Sequence, residues 1–462
     1  MITRRHLLQL GGATALALLG LDRRLAGAEA AESVGGFTGY GPLIADPAGL
    51  VDLPAGFSYS VVSRAGERMD DGFLVPMAHD GMAVFALAGG KLALIRNHEL
   101  TAHNPQSGPF GADNALLPKL ARERIYDFGK GAPSLGGTTT IIIDAATAKR
   151  EKQWLSLVGT SRNCAGGTTP WGTWVTCEEA TQRAGSEDKG TVAERDHGYA
   201  FEVPVTDAPA LADPTPLAAM GRFRREAIAI DPRSGAVYQT EDARDGVFYR
   251  FLPTTPGKLR EGGRLQALRI RGYAKGNTWN WTARDIPVGQ AMAVDWVDIA
   301  DPADRTAEQA TVQGAQRFTR GEGMWAGDGA IWFACTDGGA RRKGQIWRYV
   351  PSAVEGTAGE KDQPGMLMLF IEPDDGALLE NVDTLTVSPW GGLIAAEDNA
   401  SQDADEPNRL VAVTPDGRCH PIASTGRTEW AGACFSPDGR WLFANVYGPG
   451  TTVAITGPWR KA

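Results

Sequence analysis

The sequence predicts an all-β fold, a six-bladed β-propeller with loop and short-helix insertions. Three observations predict it. The chain has 58 glycines in 462 residues. One hairpin pattern recurs six times along it. In most copies an acid or a thiol stands at the same place. A single hairpin cannot bury its faces alone, and a radial set of similar ones can.

Residues 1–28 read as a twin-arginine-type signal peptide. Arg4 and Arg5 precede an apolar stretch from Leu10 to Leu21 that Gly11 and Gly12 weaken, and Ala26-Gly27-Ala28 offers a small-residue cleavage site. The stretch is too short to span a bilayer, so no stable membrane insertion is expected. The expected partner is the twin-arginine export machinery, and the expected destination is the periplasm or the medium. That route carries folded proteins, often with a cofactor already aboard.

Residues 29–462 read as a single β-propeller catalytic domain. Removing residues 1–28 takes away four arginines and one aspartate and leaves a net charge of −12. Such a surface repels nucleic acid and anionic lipid, so neither is an expected partner. The five cysteines are few and odd in number, with no C-x-x-C, which argues against a disulfide framework and leaves at least one thiol for other work.

Five of the repeats are Thr168 to Val175, Ala229 to Tyr238, Trp325 to Trp332, Leu385 to Ile394 and Ala433 to Leu442. Each is a short apolar strand, a turn rich in Pro, Gly or Asp, and a second short strand. Val84 to Ile95, turning at Gly89-Gly90, is a looser sixth. Insertions separate them near residues 103–127, 182–196 and 254–317. The first carries a candidate short helix from Leu116 to Arg122, the second reads as a loop, and the third, the longest, includes the acidic stretch Asp298 to Asp304.

Counting back six residues from each turn proline, or from Asp328 where the proline is missing, reaches Cys164, Glu226, Glu322, Asp383 and Ala431. The second strands end at Glu178-Glu179, Glu241-Asp242, Asp337, Glu397-Asp398 and Asn445, and the looser copy ends at Asn97-His98-Glu99. The start of one strand and the end of the next lie side by side in an antiparallel hairpin, so both sets fall on one face of the ring. Clustered carboxylates repel unless cations sit among them. Oxygen ligands suit Ca²⁺, Mg²⁺ or Fe³⁺, and a thiolate among them points to a transition metal such as iron. Only five histidines follow the signal, and His98-Glu99-Leu100-Thr101-Ala102-His103 has one residue too many for H-E-x-x-H, so a zinc site is not expected. The cluster should be lopsided, because Ala431 offers no ligand. Arg320 lies two residues before Glu322, on the same face of an extended segment, where it can clamp a phosphate. No G-x-S-x-G, P-loop or dinucleotide fingerprint competes with this reading.

The run Asn163-Cys164-Ala165-Gly166-Gly167-Thr168-Thr169-Pro170-Trp171-Gly172-Thr173-Trp174-Val175-Thr176-Cys177-Glu178-Glu179 closely resembles the signature of PhoX-type alkaline phosphatases. Leu53 to Tyr59, Ala78-His79-Asp80-Gly81-Met82, Arg96-Asn97-His98-Glu99, Phe435 to Gly439 and Ala454 to Trp459 resemble it too. The resemblance spans Asp52 to Trp459. It implies hydrolysis of small phosphomonoester substrates by an exported propeller with two Fe³⁺ and several Ca²⁺ ions. It further implies Cys164 and Glu179 as iron ligands, and Glu226 or Glu241 as the bridging glutamate. Glu322 would be shared between iron and calcium, Glu397 or Asp398 would complete the calcium side, and Arg320 would bind phosphate. Asp383 has the register of a ligand. The chain is shorter than the best-known members, so substrate-facing loops differ.

Two other readings share the carboxylates. One is a calcium-dependent propeller hydrolase of lactones or other esters. The other is a non-catalytic propeller with metal as structural glue. The first would not need Cys164. Nothing in the sequence specifies an oligomeric state.

Overall fold

Each repeat closes because two runs rich in β-branched and apolar residues meet across a turn that suits them. At Gly327-Asp328-Gly329-Ala330 both central residues have positive φ, +52° and +69°, the geometry whose twist matches a two-residue hairpin. The computed structural model describes residues 39–399, 407–426 and 428–459. The expected signal, residues 1–28, lies outside them.

Six strands begin the repeats: His79–Leu87, Asn163–Thr168, Arg225–Ile230, Gly321–Gly327, Val382–Val387 and Trp430–Phe435. They are called the first to sixth inner strands below. Each pairs antiparallel with the next strand of its hairpin: Lys91–His98, Thr173–Glu178, Val237–Glu241, Ala330–Cys335, Leu393–Glu397 and Leu442–Val446. The looser copy therefore starts at His79 rather than Val84. Each inner strand packs against the next, and the sixth packs against the first, so the ring closes.

The fold is all-β with a propeller-like arrangement. Three sheets have four strands, one has three and one has nine. The nine-stranded sheet joins the hairpins of the third and fourth inner strands, because Ala291–Asp298 pairs with both Gly263–Ile270 and Met366–Ile371. The last sheet takes its fourth strand, Ser58–Arg64, from near the start of the described chain. Phe57 packs edge-on against Trp459 at 4.7 Å beside that closure. Trp325, on the fourth inner strand, packs against three separate apolar clusters built from the first, second, fourth, fifth and sixth hairpins. Only a side chain near the ring's axis can reach all of them. From Pro42 onward the chain forms one compact unit. No helix among the described residues is long and apolar enough to cross a membrane.

One expectation about the insertions needs correction, and the longest insertion holds strands of its own. Residues 254–317 are more than the acidic stretch at 298–304. They contain Gly263–Ile270, Ala291–Asp298 and the one α-helix among the described residues, Thr306–Thr311. The alternating run Arg264-Leu265-Gln266-Ala267-Leu268-Arg269-Ile270 carries the strand signal. Residues 103–127 hold four single 3₁₀ turns and no α-helix, with Leu117–Lys119 in place of the expected helix at 116–122. Pro118 removes a donor in mid-segment, and seven residues are too few to propagate. Residues 182–196 fold back on themselves as Glu187–Asp188 against Thr191–Val192.

One buried ion triad ties that last insertion to the second hairpin. His197 sits between Glu178, 2.6 Å away, and Asp127, 2.9 Å away. Ser161, Gly198 and Tyr199 donate backbone N–H bonds to the same Glu178 carboxylate. Burial pulls the His197 pKa down, but the carboxylates of Glu178 and Asp127 outweigh it and raise the value to about 10. A raised folded-state value means stabilisation that is complete below about pH 6.5, the ordinary histidine value, and lost as pH rises through about 10. The gap in melting temperature between the wild type and His197→Gln should therefore narrow as pH climbs from about 6.5 to 10. A constant gap across that range would show that His197 is not charged in the fold.

Candidate metal centre

The start of every inner strand is interrupted in the same way. The ladder slips between Asn163 and Gly166 opposite Glu178 and Thr176, four other hairpins slip at the matching place, and the sixth slips one residue later, between Ala431 and Cys434. Each slip is a β-bulge, which bends the strand and re-aims the extra residue. In the first five hairpins the bulge begins at Asp80, Cys164, Glu226, Glu322 and Asp383. In the sixth, Ala431 holds the matching position.

A bulge frees a carbonyl from the ladder, and the neighbouring hairpin satisfies it. Asn97 Nδ2 donates to Cys164 O at 2.9 Å, Thr240 Oγ1 to Glu322 O at 2.6 Å, and Asn445 Nδ2 to Asp80 O at 2.5 Å. The strands approach so closely that a Cβ on Gly81 would lie 2.5 Å from Ala165 Cα, and one on Gly323 2.6 Å from Thr384 Cα. Glycine is needed at both points for lack of room.

The second strands contribute through the residue just past their last ladder pair: Glu99, Glu179, Asp242, Thr336, Asp398 and Tyr447. The residue before it turns the other way and serves the fold. Glu178 holds His197. Glu241 accepts from the Tyr249 hydroxyl at 2.7 Å and from Val247 N. Glu397 takes a two-pronged bond from Arg409 at 2.7 and 2.8 Å and another from Glu380 N. Burial raises the Glu241 pKa to about 7, against the pull of the Tyr249 hydrogen bond. Glu241 and Glu397, expected as alternatives among the ligands, are thus drawn away from the cluster by the side-chain period of two. Asp337, beyond its strand end, pairs with Arg342.

The remaining expected residues come together. Cys164, Glu179 and Glu226 form one buried group whose ligand atoms lie within 4.8 Å of one another. Asp80 and Glu99 form a second such group with the same Cys164. Cys164 Sγ donates to Glu179 at 3.2 Å. Glu322 and Asp383 adjoin these groups, Asp383 lies beside Asp398, and Glu429 faces Asp383 and Asp80. Glu429 stands two residues before Ala431, so the sixth hairpin is not silent as expected. It supplies its acid from an earlier position.

Electrostatics show what this arrangement demands. Burial, then neighbouring acids, push Asp80, Glu226 and Glu322 well above the usual carboxylate range and Asp383 to about 8. Burial, followed by Glu226 and Glu99, holds the Cys164 thiol far above its ordinary value. Asp242 is lowered, because Arg320 and Arg224 outweigh its burial. Nine carboxyl groups and a thiol thus face three arginines: Arg162, Arg224 and Arg320. Glu322 Oε1 is buried without a hydrogen bond, although Arg320 Nη2 stands 2.9 Å away in poor alignment. An orphaned carboxylate oxygen amid excess negative charge fits bound cations. The mixture of one thiol with hard oxygens fits a transition metal beside calcium.

A family model described as alkaline phosphatase PhoX matches residues 38–450. The chain belongs to the PhoX alkaline phosphatase family. It is accordingly an enzyme of that phosphatase family, and the resemblance seen in the Cys164 run is a family membership. No curated protein matches the chain. Among solved structures, the fold is similar to Pseudomonas fluorescens PhoX in complex with vanadate, a transition state analogue. That likeness has a TM-score of 0.64 at 18% identity and covers 91% of this chain and 97% of the other. Fainter likenesses reach the Myceliophteria thermophila Cps50 (Swd1) β-propeller domain, with a TM-score of 0.39 at 11% identity over 86% and 99% of the two chains. The Xanthomonas campestris gluconolactonase XC5397 follows, with a TM-score of 0.31 at 12% identity over 86% and 100%.

Counting from the turn passes over Asp80, because the first hairpin is longer than the others. Counting from the paired strand ends, His79 opposite His98, reaches it. Arg162 and Arg224 carried a signal too: Arg162-Asn163-Cys164, Arg224-Arg225-Glu226 and Arg320-Gly321-Glu322 share one spacing. Glu429 carried none.

Replacing Glu226 by Gln should lower bound metal, read by elemental analysis. Glu241→Leu should keep the metal and lower stability by about 1–3 kcal/mol, the cost of leaving the Tyr249 hydroxyl and Val247 N–H with one partner fewer. The reverse pattern would return Glu241 to the centre.

Proposed function

We propose that the chain hydrolyses phosphomonoesters in a metal-dependent reaction and releases inorganic phosphate outside the cytoplasm. The observation that carries this reading is the crowding of nine carboxyl groups and Cys164 around one mouth where Arg320 stays half-exposed, in a chain of the PhoX family. The likeness to a PhoX solved with vanadate supports it. The proposed cofactors are two Fe³⁺ and several Ca²⁺ ions. Cys164, Glu179 and Glu226 would hold iron, with Asp80 and Glu99 adjoining, and Glu322, Asp383 and Asp398 would serve the calcium side. When bound, these ions neutralise phosphate oxygens, activate the attacking water and stabilise the leaving oxygen.

The chain's own part is orientation. Asp242 accepts from Arg320 Nε at 2.7 Å and from Nη2 at 3.1 Å. This two-pronged hold fixes the plane of the guanidinium and leaves Nη1 without a partner among the described residues. Nη1 is the donor for a phosphate oxygen. Restraint by Asp242 lowers the ordering cost of that contact.

Six bulges support counting the nine-stranded sheet as two blades, which makes a six-bladed propeller. Residues 29–462 are proposed as its single catalytic domain. The Arg4-Arg5 motif and its apolar run support export by the twin-arginine route to the periplasm or medium.

Arg320→Ala should lower kcat/KM for p-nitrophenyl phosphate by on the order of a hundredfold, the worth of a charge-assisted contact made to the reacting group. Unchanged kinetics would remove Arg320 from the reaction. Protein exported by its own host should be coloured by a ferric centre, and Cys164→Ser should shift or abolish the visible band. Colourless wild-type protein holding calcium alone would overturn the iron reading.

A further inference from the structure

Three arginines occupy one repeat position. Arg162, Arg224 and Arg320 each stand two residues before the bulge residue of the second, third and fourth inner strands. The same position holds Ala78, Asn381 and Glu429 in the other three hairpins. Cations therefore line one half of the mouth, and an acid stands on the other half.

The arginines are strung together by carboxylates. Arg162 Nε and Nη2 donate to Glu99 at 2.9 and 2.5 Å, and Nη2 lies 2.9 Å from Glu179. Arg224 Nη2 donates to Glu179 and to Asp242. Arg320 joins Asp242 to Glu322. The result is an unbroken alternation from Glu99 to Glu322. Every arginine spends its Nη2, and in each the Nη1 nitrogen has no hydrogen-bond partner among the described residues. The side chains keep 41%, 46% and 39% of their surface exposed. A structural ion pair would exhaust or bury these donors. Here three positively charged edges remain open toward the solvent, fixed in orientation by the acids behind them.

We infer that Arg162 and Arg224 extend the Arg320 site into one cationic arc and bind a second phosphate on the substrate, so that the site favours esters carrying two phosphates over those carrying one. This rests on the phosphatase reading above. One guanidinium suffices for the reacting phosphate, and the arc extends two hairpins beyond it. The acidic far side, with Glu429 and Asp398, repels the same group and fixes which way the substrate lies.

The test compares fructose 1,6-bisphosphate with fructose 6-phosphate on metal-replete enzyme. Arg162→Gln and Arg224→Gln should each cost the bisphosphate on the order of tenfold more in kcat/KM than the monophosphate, mainly through KM, as expected for losing one charge-assisted contact. Arg320→Ala should cost both substrates alike. Bound iron and calcium should stay at wild-type levels in the two Gln variants, and Lys at either position should restore part of the preference. Equal losses on both substrates, or loss of metal, would make the arginines purely structural and sink the arc. A second measurement separates this from the phosphatase reading. Calorimetric affinity for butane-1,4-diphosphonate should exceed that for butylphosphonate in the wild type, and the difference should shrink in the Arg162 and Arg224 variants. If the wild type turns over neither sugar phosphate, the phosphatase reading falls, and the diphosphonate comparison alone decides the arc. Equal affinities there would overturn it.

Discussion

Charge imbalance at one mouth of the ring governs this protein. Nine carboxyl groups and a thiol converge where six inner strands begin, and among the described residues three arginines meet them. Repulsion of that size would pry the strand starts apart if it were left unanswered. Two responses are visible in the chain. Many of the acids are pushed toward their protonated forms by burial and by one another. Others pair with arginines, as Glu179 does with both Arg162 and Arg224. Bound metal ions are the third response, and the unsatisfied Glu322 oxygen marks where one is wanted.

The bulge is the device that makes such crowding possible. A regular strand would send successive side chains alternately to its two faces and spread the ligands apart. An extra residue at the start of each inner strand turns its side chain toward the axis instead. The bulge also exposes a carbonyl, and Asn97, Thr240 and Asn445 in neighbouring hairpins take it up. Those bonds couple the first hairpin to the second, the third to the fourth and the sixth to the first at the height of the site. Geometry of the ligands and closure of the ring are therefore one problem with one solution, repeated around the axis.

Much of this was legible in the chain. The repeated turn chemistry showed the hairpins, and their common register picked out Cys164, Glu226, Glu322 and Asp383. The same register had a blind spot. It measures from the turn, so the longer first hairpin hid Asp80. It also cannot choose between neighbours in Glu241-Asp242 or Glu397-Asp398. Glu241 and Asp242 differ by one residue, and one residue decides whether a side chain meets Tyr249 or Arg320. The insertion at 254–317 holds two strands, and one of them, Ala291–Asp298, also pairs with Met366–Ile371 far along the chain.

By itself, then, the chain determined the class of fold, the repeat and the kinds of ligand, because these follow from local turn preferences and from side-chain chemistry. Tertiary structure alone decided which acids meet. Glu429 comes from a hairpin whose ligand position is an alanine, and it joins Asp80 and Asp383 only because the ring closes the sixth inner strand onto the first. The open edges of Arg162, Arg224 and Arg320 were likewise decided there. Their shared spacing is written in the sequence, but which nitrogen each arginine gives to a carboxylate, and which it keeps, depends on acids from the neighbouring hairpins.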